Sequence, residues 1–295
     1  MYAFVRASLV FDLRAVLGLT KSAISFPAVR ACIFDMDGLL INSEDIITLS
    51  TNQLLEKYGR PAFTRSVRAQ LMGVPNSTNG DVFHNWAKLP ISREQFARES
   101  TEQMRRLFPN CEPLPGAENL LKNLSRARNI SGDRIVLALA SSTKSHSYEL
   151  KTSRPQTKQL LDFFQSDNRV LGDDPRVREG RGKPAPDIYL VALHTLNSAL
   201  DSGKKAIVPD ECLVFEDSVV GVEAARRAGM RVVWVPHPDV ALEYQAQQRD
   251  VLAGGMRINE VGDDSPLGGI DDDWAEYIPS LENFDYRKYG IHVSF

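Results

Sequence analysis

Apolar and polar positions follow two different periods along the 295 residues. From Ala28 the run AVRACIF is apolar almost throughout and stops at DMDG, as a buried strand does where it meets a loop. A helical period then takes over. EDIITLSTNQLLEKYG puts Ile46, Ile47, Leu54, Leu55 and Tyr58 mainly on one face and ends at Gly59 and Pro61. SREQFARESTEQMRRLF opens with Ser92 and Gln95 at capping-box spacing and ends before Pro109. Shorter helical pieces flank the loop MGVPNSTNG, so residues 44–112 read as helices without a convincing strand.

After Pro115-Gly116 the two periods alternate. Helix AENLLKNLSRAR precedes strand RIVLALA, and one helix over about 145–163 precedes strand NRVLG. Helix IYLVALHTLN, strand ECLVF, helix GVEAARRAG and strand RVVWVP follow. Such alternation predicts parallel βαβ units, hence an α/β protein with a Rossmann-like doubly wound parallel sheet. The predicted organisation is an N-terminal extension (residues 1–27), a core (28–43 and 113–295) and an inserted all-helical cap (44–112).

Composition changes little in this picture. Hydrophobic residues make up 43% and charged residues 25%, ordinary for a globular protein, and the net charge of −3 gives no general pull toward nucleic acid or an anionic membrane. No apolar run approaches the ~18–20 residues that span a bilayer. Three scattered cysteines with no C-x-x-C argue against a disulfide framework or a cysteine-built metal site. The first thirty residues carry Arg6, Arg14, Lys21 and Arg30 against Asp12 alone. Two readings stand for them: a loosely docked helix in a cytoplasmic protein, or a mitochondrial transit segment.

Four polar clusters fall where strands end or helices begin, the place where open α/β sheets bind ligands. Asp35-Met36-Asp37-Gly38 can direct two carboxylates at one site, although a pair of turn-capping aspartates reads the same way. Ser141-Ser142 offers hydroxyls and backbone N–H groups to a phosphoryl oxygen, or a helix cap. Lys183 in GKPAPD can neutralise a dianion. Glu216-Asp217 supplies hard oxygen ligands of the kind Mg²⁺ takes.

In this order the clusters resemble the four motifs of haloacid dehalogenase (HAD) superfamily phosphatases with a helical cap after the first motif. FDMDGLLINSE matches motif one, LALASST motif two, GKPAPDIYL motif three and LVFEDSVVGVEAARRAGM motif four. ESTEQMRRLFPNCEPLPGAENLL, LKTSR and VLGDDPRV further resemble the pseudouridine 5′-phosphatase branch.

The resemblance implies a Mg²⁺-dependent phosphomonoester hydrolase working through an aspartyl phosphate. Asp35 would be the nucleophile and Asp37 the general acid and base. Lys183, Ser141 and Ser142 would hold the phosphoryl group. Asp35, Asp37, Asp217 and Glu216 would hold the metal. It implies pseudouridine 5′-monophosphate as substrate, with sugar or polyol phosphates as the alternative. Gly73 and Asn76 of the cap loop are the candidate specificity residues. That loop lacks the arginine with which a sugar phosphomutase grips a second phosphate. The presence of Asp37 argues against a dehalogenase, and that of Asp35 and Lys183 against a silent metabolite-binding module. The expected partner is one small phosphomonoester, with no nucleic acid and no membrane, and the expected state is a monomer. Asn42 stands where relatives often carry Asp, which predicts a local change in hydrogen bonding.

Overall fold

The computed structural model describes residues 26–72, 76–256 and 268–293, with no side-chain placement over 76–79. Most of the basic N-terminal extension, with its two targeting readings, lies outside the described residues, as do Gly73 and the side chain of Asn76. In chain order the first elements are β1 (Ala31–Phe34) and four helices, α1 (Ser43–Lys57), α2 (Arg65–Leu71), α3 (Asn76–Ala87) and α4 (Arg93–Leu107). Next come α5 (Ala117–Arg126), the two-residue β2 (Arg128–Asn129), β3 (Val136–Ala140), α6 (Ser145–Lys151), α7 (Pro155–Leu161) and β4 (Arg169–Val170). The chain continues through α8 (Asp187–Ser198), β5 (Cys212–Glu216), α9 (Val219–Arg227), β6 (Arg231–Trp234), α10 (Pro238–Glu243) and α11 (Gln248–Ala253). It closes with β7 (Ala275–Tyr277) and β8 (Ile291–His292).

Six strands form one parallel sheet in the order β4-β3-β1-β5-β6-β7, while β2 and β8 make a small antiparallel ribbon. This is the α/β doubly wound arrangement that the alternation predicts. β1 lies between β3 and β5, with Phe34 opposite Leu139 on one side and Phe215 on the other. The chain winds outward from β1 to β4 and then returns to β5 on the opposite side. The crevice at that reversal lies beyond the carboxyl ends of β1 and β5.

Central strands are apolar throughout because both faces are covered. Cys32, Phe34, Leu139 and Phe215 face one layer, with Leu120, Leu124 and Leu160; Phe34 stacks on Phe215 at 4.5 Å. Ile33, Ala138, Val214 and Trp234 face the other, with Tyr189, Ala192 and Val222. The alternate residues of β1 therefore serve different cores, as a period of two requires.

Two boundaries differ from expectation. The single helix predicted over 145–163 is two helices, α6 and α7, because Pro155 has no N–H to continue a helix and begins a new one at its first position. β4 keeps only Arg169 and Val170 of the apolar run NRVLG. In the run Asp271-Asp272-Asp273 before β7, Asp272 pairs with Arg226 and Asp271 with Arg249.

Helices α1–α4 build the cap around their own small core of Leu55, Phe83 and Ala87, with Phe63, Trp86 and Phe96 packed against it. Ser92 caps α4 by accepting from the Gln95 N–H, as its spacing predicts. The two crossings between core and cap run side by side. Asn42 N–H donates to the Glu112 carbonyl at 3.0 Å, and the Glu112 N–H donates to Asn42 Oδ1 at 2.8 Å. Here the amide at position 42 acts as a stitch, and an ionised carboxylate could accept the same bond.

Candidate active site

β1 ends at Phe34, and the chain turns at once. The Asp35 N–H still donates to the Phe215 carbonyl (3.0 Å), after which Leu40 and Ile41 N–H both return to the Met36 carbonyl. Gly38 sits in the turn at φ +74°, and a Cβ there would lie 2.3 Å from Asp217 Oδ2. Glycine is needed twice over, for the backbone and for the approach of Asp217. The turn leaves Asp35 and Asp37 at the crevice with different surroundings.

Asp35 is buried and faces Lys183, whose Nζ donates to Asp35 Oδ1 at 2.5 Å and to Glu216 Oε1 at 2.6 Å. Lys183 comes from the GKPAPD loop before α8 and lies over the Tyr189 ring. Burial pushes the Asp35 carboxyl up to about 7; Lys183 opposes the rise, and Glu216 and Asp37 add to it. Burial works against the Lys183 charge, but Asp35 and Glu216 outweigh it and hold the ammonium well above its ordinary range.

Asp37 is surrounded by donors. Ser43 Oγ and Lys151 Nζ both donate to its Oδ1 at 2.5 Å; Thr143 Oγ1 (2.5 Å) and Ser141 Oγ (3.1 Å) donate to Oδ2. Burial would raise this carboxyl, but Lys151 and the hydroxyls outweigh it and bring it below its usual range. The two aspartates, two residues apart, thus carry opposite shifts, each set by its own surroundings.

Glu216 is fully buried at the end of β5. Its Oε1 accepts from Lys183 and from Tyr189 Oη (2.5 Å), and its Oε2 accepts from the N–H and Oγ of Ser218 at 3.0 Å. Ser218 in turn caps α9 by accepting from the Gly221 N–H. A Cβ on Gly221 would collide with the Glu216 carboxylate, so that glycine is what admits it. Both oxygens are thereby committed to protein donors.

Asp217 is the converse case. It is buried, and among the described residues no hydrogen bond or ion pair reaches its carboxylate. Burial, reinforced by Glu216, Asp35 and Glu44, raises its carboxyl well above the ordinary range. Glu44, at the start of α1, is itself raised to about 7 by burial and by Asp37. Five carboxylates (Asp35, Asp37, Glu44, Glu216 and Asp217) thus share the crevice with Lys151 and Lys183.

This imbalance is what a divalent cation would relieve. No three acidic, histidine or cysteine side chains among the described residues form a ready-made metal cage. Two carboxylates, Asp35 and Asp217, with a backbone carbonyl suit Mg²⁺, which keeps several waters.

The structure therefore brings Asp35, Asp37, Ser141, Lys183, Glu216 and Asp217 to one crevice. Ser141 is buried with its hydroxyl on Asp37, while the Ser142 side chain is exposed. Lys151, Thr143, Ser43, Glu44 and Tyr189 also belong to the site, and sequence reasoning did not single them out. Thr143 adjoins the serine pair, which is the one local signal; a lysine on α6 carries none.

A cavity of about 730 Å³ opens between cap and core. Its walls carry Phe63, Phe83, Phe96 and Phe108 beside Thr48, Ser100, Arg93 and His146. Phe83 and Phe96 pack in the cap core, and together with His84 they also line this cavity. All three cysteines are free and buried, and burial pushes the thiols of Cys111 and Cys212 up to about 12. No helix of the described residues is long and apolar enough to cross a membrane.

Comparison with known proteins gives the family. A protein of Saccharomyces cerevisiae named "probable pseudouridine-5'-phosphatase" is 38% identical over 264 residues, covering 90% of this chain and 98% of its own. The mitochondrial (DL)-glycerol-3-phosphatase 1 of Arabidopsis thaliana is 34% identical over 77% of this chain and 70% of its own. The crystal structure of a HAD hydrolase, family IA, variant 3, from Entamoeba histolytica shares the fold with a TM-score of 0.59 at 19% identity, covering 88% of this chain and 97% of that one. The family model for haloacid dehalogenase-like hydrolases matches residues 32–235, from inside β1 to just past β6. That span takes in every strand and loop that converges on the crevice, and the chain belongs to the haloacid dehalogenase-like hydrolase family.

Proposed function

We propose that this phosphatase cleaves a small phosphomonoester through a phosphoryl group carried on Asp35, with pseudouridine 5′-monophosphate as its substrate. The observation that carries the reaction is the pair of aspartates in opposite surroundings, Asp35 on Lys183 and Asp37 among four donors. An Asp35 oxygen attacks phosphorus, and the ester P–O bond breaks. Asp37, whose carboxylate takes up a proton as the phosphate dianion binds beside it, passes that proton to the leaving oxygen, and the alcohol is released. Asp37, now a carboxylate, takes a proton from water, and the resulting hydroxyl attacks phosphorus. The bond to Asp35 breaks, inorganic phosphate leaves, and Asp37 is again protonated.

Lys183 balances the nucleophile and the transferring oxygens, and Glu216 with Tyr189 fixes its ammonium. Asp35, Asp217 and the Asp37 carbonyl would hold Mg²⁺. When bound, that ion supplies positive charge between a carboxylate nucleophile and a dianionic substrate that otherwise repel each other.

The substrate reading is supported by the 38% identical relative and by the cavity. Its volume is in the range that encloses drug-sized ligands, and its aromatic and hydroxyl walls suit a base with its sugar. The relative named as a glycerol-3-phosphatase favours a second reading, a polyol phosphate. Phosphate release from pseudouridine 5′-monophosphate, glycerol phosphates and sugar phosphates, each in EDTA and in Mg²⁺, tests both. The nucleotide is expected to give the highest kcat/KM, and only with Mg²⁺. Asp35→Asn is expected to abolish turnover while keeping the fold. A polyol phosphate preferred over the nucleotide overturns the substrate, and turnover by the Asn variant overturns the nucleophile.

A further inference from the structure

Lys151 is the last residue of α6, and its side chain is 4% exposed. A lysine at a helix end ordinarily reaches for water; this one turns inward. Its Nζ donates to Asp37 Oδ1 at 2.5 Å and to Thr143 Oγ1 at 2.8 Å, and the Thr143 hydroxyl in turn donates to Asp37 Oδ2. Lys151 therefore grips one carboxylate oxygen directly and the other through a hydroxyl. The ammonium also lies 4.7 Å from the centre of the Phe108 ring. Phe108 begins the short turn Phe108–Asn110, where the chain comes back from the cap to the core.

We propose that Lys151 is a positioning residue for Asp37, aiming its carboxyl at the leaving oxygen and tying that aim to the return hinge of the cap through Phe108. The proposal rests on the reading of Asp37 as acid and base. With Lys151 gone, Oδ1 keeps only the Ser43 hydroxyl, and the carboxylate can swing about its last torsion. Proton transfer requires the donor within hydrogen-bond reach of the leaving oxygen. Attack by Asp35 does not, and among the described residues no hydrogen bond or ion pair joins Lys151 to Asp35 or Lys183. The loss should therefore depend on how much protonation the leaving group needs. A nitrophenolate departs as a stable anion; an alkoxide does not.

The test compares kcat/KM, which reports the step that breaks the ester bond, for p-nitrophenyl phosphate and for the alkyl monoester turned over fastest in the phosphate-release panel. Lys151→Met is expected to lose about 100-fold on the alkyl ester, the lower range of a general-acid contribution, and less than tenfold on p-nitrophenyl phosphate. Lys151→Arg should recover part of the alkyl activity. Phe108→Leu, which removes the ring and leaves the lysine, should shift the ratio in the same direction by a smaller factor, and it carries the test should Lys151→Met not fold. Equal losses on both esters would make Lys151 merely structural and overturn the proposal, as would an unchanged ratio in all three variants. Wild-type protein inactive on both esters would overturn the phosphatase reading together with this one, an outcome distinct from the other two.

Discussion

Glu216→Gln separates two roles for the carboxylate at the end of β5, holding Lys183 or holding the metal. Glu216 is fully buried, with Lys183 and Tyr189 on one oxygen and the Ser218 N–H and hydroxyl on the other. A glutamine amide must present its NH₂ to one of these sides, where donors would face a donor. Breaking a buried charge pair by removing one partner costs about 3–5 kcal/mol. Relief of the repulsion that Glu216 exerts on Asp35 and Asp217 returns about 1.4 kcal/mol if it amounts to one pKa unit. The expected net loss is about 2–4 kcal/mol, or roughly 5–15 °C in Tm at about 2–4 °C per kcal/mol. Urea and thermal unfolding in EDTA measure it, and the Mg²⁺ half-saturation of phosphate release is measured alongside. The stability loss should appear without metal, with half-saturation moved no more than about threefold. A variant as stable as wild type in EDTA but needing much more Mg²⁺ would return Glu216 to the metal and refute the reasoning.

Gly38→Ala forces a Cβ against Asp217 Oδ2 and adds the strain of a positive φ. The Mg²⁺ half-saturation should rise at least about tenfold, and an unchanged value would show that Asp217 does not serve the ion. Arg68 of α2 joins cap to core through Asp239 (2.8 Å) and His237, and within the cap it also holds Asp45 of α1 (2.5 Å). Arg68→Ala should speed amide exchange over residues 65–72 by about threefold to tenfold, the order of a partly exposed ion pair; exchange at the wild-type rate would show that the latch bears no load. In the cap, Glu99 accepts from Lys57, Tyr58 and Gln95, and these bonds pull its carboxyl from an ordinary 4.5 down to about 2. Because the unfolded chain takes up the proton first as pH falls, this contribution is complete above about pH 4.5 and is lost toward pH 2. The stability gap between wild type and Glu99→Gln should narrow over that interval, and a gap constant from pH 7 to pH 2 would contradict the assignment.

The core was legible because its strands are buried on both faces. AVRACIF and ECLVF are apolar runs that end in acids, and the sheet sets those ends side by side. The four polar clusters needed only that topology to meet. Lys151 was not legible: nothing in SHSYELK distinguishes a lysine that turns inward from one that faces water, and its partners come from the loops after β1 and β3. The partners of Glu216 were not legible for a related reason. Beside Asp217 it reads as a second hard ligand, but neighbouring residues at a strand end face opposite ways, and only the structure reveals Tyr189 and Ser218 waiting on its side. The break at Pro155 was visible in the letters and should have outweighed the apolar period around it.

The stitch between Asn42 and Glu112 also bears on how such an enzyme changes trade. The cap, residues 44–112, hangs from two adjacent strands of chain whose backbones already bond to each other. The core's geometry at that doorway is the same whatever lies beyond it. A different helical insert of any length, grafted between positions 44 and 108 so that Ser43, Glu44 and Phe108 stay, would meet a closed and prepared seam and would leave Asp35, Asp37, Lys183 and Asp217 where they stand. The doorway thus makes the chemistry a fixed tool with an exchangeable grip, and new substrates can be acquired by replacing the handle alone.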